Sequence, residues 1–231
     1  MAEKAAALDN IIKLAVMAVG GQGGGVLTNW IVDLAEANGY AVQATSVAGV
    51  AQRTGTTIYY IEMLPDTGRQ PVFALSPVEA DVDIVIAAEW MEAGRAIMRG
   101  FVSPDRTVLI ASSHRALAEV EKAVPGNGIA DDTEVHLAAT KSARRVIAFD
   151  MDSIAVNAGT MISASLFGAI AGADVLPFAV DEFRKTVRRG GRGFEASLAA
   201  FEVAFERAQS ESDASLYTDD ALAECLRPNL I

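Results

Sequence analysis

The stretch Val16-Met17-Ala18-Val19-Gly20-Gly21-Gln22-Gly23-Gly24-Gly25-Val26-Leu27-Thr28 decides the fold of this chain. It predicts an apolar strand that runs into five glycines around one glutamine, after which a helix begins. Glycines at such a junction let another backbone or a ligand approach closely, because no side chain blocks them. The helix offers free N–H groups and a partial positive charge, which favour an anion such as a nucleotide phosphate.

Segments of strand and helix character alternate along the rest of the chain. Buried strands are predicted at residues 11–19, 41–46, 81–88, 107–111 and 146–149, and a half-buried strand at the sheet edge at residues 57–63. Helices are predicted after the glycines, at residues 91–99, 154–171 and 194–207, and from Leu176-Pro177 onward, with Asp152 or Ser153 as the cap of the helix at 154–171. This order opens with a βαβ unit and predicts an α/β, Rossmann-like fold with a mostly parallel sheet flanked by helices.

The length of 231 residues accommodates one domain with a full core and a tail. We assign residues 1–208 to that domain and residues 209–231 to a polar linker and a C-terminal tail that ends abruptly, as a truncated tail would. Hydrophobic residues make up 51% and charged residues 21%, so part of the apolar surface is expected to be covered by another subunit.

Charge and cysteine content exclude several classes of function. A net charge of −11 argues against nucleic acid or an anionic membrane as the main partner, and no apolar run is long enough for membrane insertion. No secretory signal is recognised, and one cysteine, Cys225, fits a reducing cytoplasm. With only His114 and His136 beside it, any iron–sulfur cluster is expected on another chain.

The glycine stretch does not match the dinucleotide-binding fingerprint G-x-G-x-x-G. Counted from Gly21 the third glycine position is Val26, and counted from Gly23 it is Thr28. The second strand, at residues 43–46, also has no acid to bind a ribose. A site for NAD is therefore disfavoured.

A P-loop is disfavoured as well, because Val26-Leu27 stands where lysine and a hydroxyl residue are required after Gly20 and Gly25. Two interpretations remain open for the glycines. They form a tight turn that packs against a partner, or they bind another anion or a cofactor phosphate through their backbone.

Four further features carry polar chemistry. Arg53, within Gln52-Arg53-Thr54-Gly55, is suited to bind a carboxylate or phosphate, or is an ordinary exposed or interface arginine. Glu89 ends a strand and is either at a ligand site or the first-turn acid of a helix, and Asn157 is a core or interface residue of an apolar helix. Ser112-Ser113-His114 has no acid spaced for a triad, which disfavours a hydrolase.

The ordered set of motifs resembles a known family over residues 12–208. The set comprises Gly20-Gly21-Gln22-Gly23-Gly24, Ala51-Gln52-Arg53-Thr54-Gly55, Ala80-Asp81 before the Asp83-Ile84-Val85-Ile86 strand, Glu89, and the Asn157 helix that reaches Leu166-Phe167-Gly168 and Leu176-Pro177. It resembles the gamma-type domain of thiamine-diphosphate-dependent 2-oxoacid:acceptor oxidoreductases, and is closest to the beta subunit of indolepyruvate oxidoreductases. The chain departs from the family at Thr54, where glycine is common, and at Gly24-Gly25, where a glycine and an apolar residue are expected.

This resemblance implies a division of labour between subunits. The reaction would be oxidative decarboxylation of an aryl-2-oxoacid such as indolepyruvate to an acyl-CoA, with electrons passed to ferredoxin or another acceptor. Thiamine diphosphate and [4Fe-4S] clusters would belong to a large alpha subunit, and this chain would join it in a heterodimer or heterotetramer without a catalytic residue or metal ligand of its own. Coenzyme A is the ligand implied for this chain.

The resemblance also marks the residues that would hold coenzyme A or form the interface beside the active centre. They are Gly20, Gly21, Gln22, Gly23, Gly24, Gln52, Arg53, Thr54, Gly55, Glu89 and Asn157. Two rival functions stay open: a free-standing nucleotide-binding Rossmann oxidoreductase, and an interaction module whose glycines bind no ligand.

Overall fold

The computed structural model describes residues 11–48, 56–68, 71–116, 133–191 and 193–213. Its strands are β1 (Ile12–Val19), β2 (Tyr40–Ala48), β3 (Thr56–Pro65), β4 (Ile84–Ala87), β5 (Val108–Ser112) and β6 (Arg145–Phe149). Its helices are α1 (Gly24–Ala37), α2 (Trp90–Met98), α3 (Thr133–Ser142), α4 (Met151–Ala158), α5 (Ile162–Gly172), α6 (Val180–Arg189) and α7 (Phe194–Asp213). The predictions for residues 52–55 and for the tail beyond residue 213 lie outside the described residues.

The strands form one sheet in the order β2-β3-β1-β4-β5-β6. Strands β1, β4, β5 and β6 are parallel neighbours, whereas β3 runs antiparallel to both β1 and β2. The expected α/β class with a mostly parallel, helix-flanked sheet is confirmed. The first two strands do run in the same direction, but β3 lies between them.

The prediction that residues 57–63 form an edge strand is wrong, because β3 is internal and β2 forms the edge. The alternating polar residues of β3 suggested a solvent-facing side, yet Glu62 is only 3% exposed. Its carboxylate accepts hydrogen bonds from the Tyr60 hydroxyl at 2.6 Å and the Ala74 N–H at 2.7 Å. Internal hydrogen bonds therefore replace water at this position.

Two hydrophobic layers cover the two faces of the sheet. Alternate residues of β1 separate them: Leu14 and Val16 pack with α1 and the helices α4 to α7, whereas Ala15 and Met17 pack with α2 and α3. The period of two in side-chain direction produces this division. The buried strands therefore read as continuous apolar runs, which made them recognisable in the sequence.

The single helix predicted at residues 154–171 is two helices. Helix α4 ends at Gly159, whose φ of 75° lies in the left-handed region that favours glycine, and α5 begins at Ile162. The cap is also earlier than predicted, since Asp150 accepts a hydrogen bond from the Ser153 N–H at 2.9 Å. Asp152 and Ser153 both lie inside α4.

Three other boundaries differ from the sequence predictions. Helix α3 was not predicted, and α6 begins three residues after Pro177. Helix α7 continues to Asp213, so residues 209–213 extend the last helix where a linker was expected. None of the described helices is long and apolar enough to cross a membrane.

Candidate functional site

The carboxyl ends of the parallel strands meet at one edge of the sheet, which we call the carboxyl edge. The chain leaves β1 into α1 on one face and leaves β4 into α2 on the other face. In open α/β sheets, ligands bind in the crevice at such a switch of direction. The topology therefore places a candidate site between the glycine loop, residues 20–23, and the Ala88–Glu89 segment, where the Ala88 N–H donates to Met17 O at 2.9 Å.

The glycine loop is a tight turn closed by Gln22. The Gln22 N–H donates to Val19 O at 3.1 Å, and the Gln22 side-chain Oε1 accepts from the Val19 N–H at 2.9 Å. Gly21 and Gly23 have φ values of 94° and 70°, which other residues rarely adopt. The side-chain carbonyl oxygen of Gln22 is thus engaged in the turn, and the glycines shape the loop.

Packing contacts explain why residue 24 is glycine, but they do not explain why residue 20 is glycine. A Cβ at position 24 would lie 2.6 Å from the ring of Tyr59 in β3. This ring therefore leaves room only for glycine at position 24. A Cβ on Gly20 would meet no atom within 4 Å, and Gly20 does not have a left-handed φ. Helix α1 also has no side-chain cap and no acid in its first turn. This edge therefore combines open space above Gly20 with N–H donors that no side chain occupies.

The segment that carries Gln52, Arg53, Thr54 and Gly55 lies outside the described residues. The next residue along the chain, Thr56, pairs with Val19, the last residue before the glycine loop. The antiparallel course of β3 therefore places Thr56 at the carboxyl edge, a position that the predicted edge strand did not anticipate.

Glu89 lies at the predicted edge but is turned into the protein, with 1% of its surface exposed. Its Oε2 accepts a hydrogen bond from the Ala116 N–H at 3.4 Å and lies 4.0 Å from Arg115 Nε. Burial raises the pKa of Glu89 above that of an ordinary glutamate, and the Ala116 N–H and the Arg115 charge oppose this only in part. Glu89 holds the 115–116 segment against the start of α2.

Asn157 is exposed in the last turn of α4, so its interpretation as a core residue is wrong. Its neighbour Val156 is 65% exposed. Two more exposed apolar side chains, Val26 and Met161, lie beside the glycine loop, and Met161 Cε is 3.6 Å from the position of a Gly23 Cβ. Apolar side chains that remain open around a crevice are typical of an interaction surface.

Ser112 and His114, from the motif that lacks an acid spaced for a triad, form a hydrogen-bonded pair at the end of β5. Ser112 Oγ lies 2.7 Å from His114 Nδ1 and accepts the Met151 N–H at 3.0 Å. Ser112 has no exposed surface, so its hydroxyl joins β5 to α4 and is not accessible as a nucleophile. Burial lowers the pKa of His114, although the Asp152 and Asp150 carboxylates oppose this. The S-x-H spacing after a strand was the available signal.

The described residues contain no group of three or more His, Cys, Asp or Glu side chains that is arranged to hold a metal ion. In that part of the chain, the carboxyl edge thus offers backbone N–H groups, an internal carboxylate and apolar side chains. Such a surface suits binding of an anionic group or a partner.

Comparison with known proteins agrees with this architecture. Residues 13–207 match the family described as pyruvate ferredoxin/flavodoxin oxidoreductase. No curated protein matches the chain.

Solved structures with a similar fold include two subunits of almost the same extent. Pyruvate oxidoreductase subunit PORC from Thermotoga maritima is 17% identical with a TM-score of 0.61, and the match covers 85% of this chain and 96% of that one. The gamma subunit of keto/oxoacid ferredoxin oxidoreductase from Geobacter sulfurreducens is 16% identical with a TM-score of 0.58, and the match covers 86% and 99%.

A third similar structure is a longer chain. It is 2-oxoglutarate:ferredoxin oxidoreductase from Magnetococcus marinus with 2-oxoglutarate, coenzyme A and succinyl-CoA bound. It is 14% identical with a TM-score of 0.58, and the match covers 88% of this chain and 32% of that one. At these identities the likeness shows a common fold.

Proposed function

Because this chain belongs to the pyruvate ferredoxin/flavodoxin oxidoreductase family, we propose that it is a subunit of a 2-oxoacid:ferredoxin oxidoreductase. The reaction is oxidative decarboxylation of a 2-oxoacid to an acyl-CoA, with ferredoxin or another carrier as electron acceptor. The substrate is an aryl-2-oxoacid such as indolepyruvate, a proposal that rests on the resemblance of the glycine and Gln52–Gly55 motifs. The complex is cytoplasmic, as the single cysteine suggests.

The chain depends on a larger alpha subunit, with which it forms a heterodimer or heterotetramer. That partner holds thiamine diphosphate, which supplies the carbanion-stabilising chemistry of decarboxylation, and the [4Fe-4S] clusters. The exposed Val26, Val156 and Met161 support this division, because they fit a surface that a partner covers.

The carboxyl edge is proposed to contribute one wall of the coenzyme A site. The observation that supports this most is the open space above Gly20. No contact within the described chain explains why this residue is glycine. The Gly20–Gly21 backbone and the first turn of α1 would bind a phosphate of coenzyme A through N–H groups. Gln52, Arg53, Thr54 and Gly55 would complete the wall, with Asn157 at its rim, while Glu89 supports the loop from inside.

Co-expression with a thiamine-containing large subunit tests the proposal. The two chains should copurify, and the complex should reduce an acceptor only when both a 2-oxoacid and coenzyme A are present. Comparing indolepyruvate, phenylpyruvate, pyruvate and 2-oxoglutarate identifies the substrate class. A chain that is folded yet never copurifies with such a subunit would overturn the proposal.

Substitution of Gly20 tests the role of the loop. Gly20→Glu places a negative side chain in open space, so folding stability should change by less than about 0.5 kcal/mol. The KM for coenzyme A should rise about tenfold or more, because the new carboxylate repels a phosphate. Met98→Glu adds the same charge at an 89% exposed position on α2 and serves as the control. Equal kinetics in both variants would contradict a coenzyme A site at Gly20.

Calorimetry of the chain with NAD(H), NADP(H) and coenzyme A separates the rival functions. Micromolar binding of a nicotinamide nucleotide would support a free-standing oxidoreductase and contradict the proposal. Binding of none of these ligands, by the chain or by its complex, would support a pure interaction module.

A further inference from the structure

A second cleft lies at the opposite edge of the sheet, where the parallel strands begin. Its volume is about 530 Å³, within the range of about 300–1,000 Å³ that is usual for small-molecule sites. The starts of β4, β5 and β6 form one side, and the residues just after α5 form the other. The cleft is therefore separated from the carboxyl edge by the length of the strands.

One cation and one anion of this cleft neutralise each other. Arg106 Nε donates to Asp83 Oδ1 at 2.7 Å, and Arg106 Nη1 donates to Asp81 Oδ1, also at 2.7 Å. Charge-assisted hydrogen bonds of this kind hold both partners in place. Arg106 and Asp83 thus belong to the wall and are not available to a ligand.

Two neighbouring arginines of the cleft lack such compensation. Within the described residues, no carboxylate lies within 4.0 Å of the Arg144 or Arg145 guanidinium. Arg145 donates to the Ala173 carbonyl oxygen through Nη2, but its Nε is buried and has no hydrogen-bond partner. Burial and the adjacent Arg144 charge both lower the pKa of Arg145, and the Asp174 carboxylate opposes this in part. A ligand that brings a carboxylate would supply the ion-pair partner that the Arg144 and Arg145 guanidinium groups lack within the described chain.

The remaining lining restricts what that ligand can be. Asp105 and Asp174 line the same cleft, are exposed and form no salt bridge within the described chain. Their negative charge disfavours a phosphate dianion and favours a ligand with a cationic group as well. Val175, which is half-buried, supplies apolar surface in this lining.

We propose that this cleft binds a small zwitterion of the amino-acid class with an apolar side chain. Its carboxylate pairs with Arg144 and Arg145, its ammonium group faces Asp105 and Asp174, and its side chain contacts Val175. This proposal does not depend on the function assigned to the carboxyl edge.

Calorimetry on the full chain tests the chemistry with four probes: L-phenylalanine, L-phenylalaninamide, 3-phenylpropionate and inorganic phosphate. L-Phenylalanine should bind saturably, and loss of its carboxylate or its ammonium group should weaken binding about tenfold or more. The proposal is overturned if L-phenylalanine gives no saturable heat up to about 10 mM. It is also overturned if the amide, 3-phenylpropionate or phosphate binds as tightly.

Variants locate the site. Arg144→Gln and Asp174→Asn should each weaken L-phenylalanine binding about tenfold. Both side chains are exposed, and asparagine tolerates the left-handed φ of 52° at position 174, so both variants should keep the fold. Arg189→Gln removes one exposed guanidinium on α6, outside the cleft, and should leave the affinity unchanged. Unchanged affinity in the first two variants, or equal loss in all three, would overturn the assignment.

Discussion

At the scale of the residue, the five glycines after β1 serve different needs. Gly21 and Gly23 adopt left-handed φ values, and Gly24 makes room for the Tyr59 ring. Gly25 is in ordinary contact with the Tyr59 hydroxyl, at 3.6 Å from a Cβ position. Gly20 has neither a conformational nor a packing reason within the described chain and faces open space, so an approaching ligand or partner backbone is the reason that we propose.

Glu89 gives a pH-dependent prediction, because its pKa is raised in the folded chain relative to the unfolded chain. The native state then binds more protons, and the free energy of unfolding decreases as the pH rises above about 4.5. Glu89→Gln removes this penalty. Urea unfolding at several pH values should show the variant gaining stability relative to the wild type as the pH rises from about 4 to 8, by on the order of 1 kcal/mol.

The control for Glu89→Gln is Glu195→Gln, which removes an exposed carboxyl group from α7. Its effect relative to the wild type should be small at neutral pH. If Glu89→Gln instead loses stability relative to the wild type as the pH rises, this result would contradict the raised pKa of the buried Glu89 carboxyl group.

At this scale, the sequence predicts where a residue lies along the chain better than it predicts the direction in which its side chain points. The placement of Glu89 after β4 follows from the apolar run before it, but its burial depends on Arg115 and Ala116, which only the fold brings near. Gln22 was expected to face a ligand, and its Oε1 instead accepts a hydrogen bond from Val19. Such short-range alternatives are close in free energy, and periodicity does not distinguish them.

At the scale of the element, helices α5 and α7 pack with their backbones unusually close. A Cβ on Gly168 would lie 2.2 Å from Phe201 O, and one on Gly172 would lie 2.3 Å from Phe205 O. These glycines are four residues apart and therefore share one face of α5. The contact brings the two helices together below the aromatic rings that fill the core.

Gly168→Ala should destabilise the protein by about 1–3 kcal/mol, because a backbone carbonyl cannot move away as a flexible side chain would. Chemical denaturation measures this loss. Gly25→Ala in α1 is the matched control, since its Cβ meets only the Tyr59 ring, with the hydroxyl at 3.6 Å, and it should be neutral or slightly stabilising. If Gly168→Ala proves as stable as Gly25→Ala, the close approach of α5 and α7 is wrong.

Apart from helix α3, the helices and strands were predictable from the sequence, whereas two helix boundaries were not. Small and apolar residues continue across Gly159, so the helical period masked the break between α4 and α5. The break between α4 and α5 depends on the left-handed φ at Gly159. The presence of a glycine within a helical pattern does not predict this conformation. Helix α3 lacks a strong apolar stripe, since its contact with α2 depends on a few residues such as Val135 and Ala139.

At the scale of the whole molecule, β2 and β6 are the two edge strands of the described sheet, and β3 is the single strand paired with β2 there. Hydrogen exchange should show rapid exchange for those β2 amides that do not donate to β3. Amides of β4, which lies between β1 and β5, should approach the protection set by global unfolding. Strong protection along all of β2 in the isolated chain would contradict an open edge.

The overall class was predictable because the parallel strands are buried on both faces and alternate with helices. The sheet order was not, because both a hydrogen-bonded buried glutamate and an exposed one give the same alternating pattern. Glu62 in β3 is the case in point, and its tertiary partner Ala74 lies twelve residues away.

The position of β3 has a consequence for biosynthesis. Within the described sheet, β1 pairs with β3 and β4, and β2 pairs with β3, so the recorded partners of both strands follow them in the chain. On the ribosome the apolar strand β1 therefore leaves the exit tunnel well before any ladder can form, while synthesis proceeds at about 5–20 residues per second. Nascent chains that end before β3 therefore expose the apolar strand β1 without its partner β3.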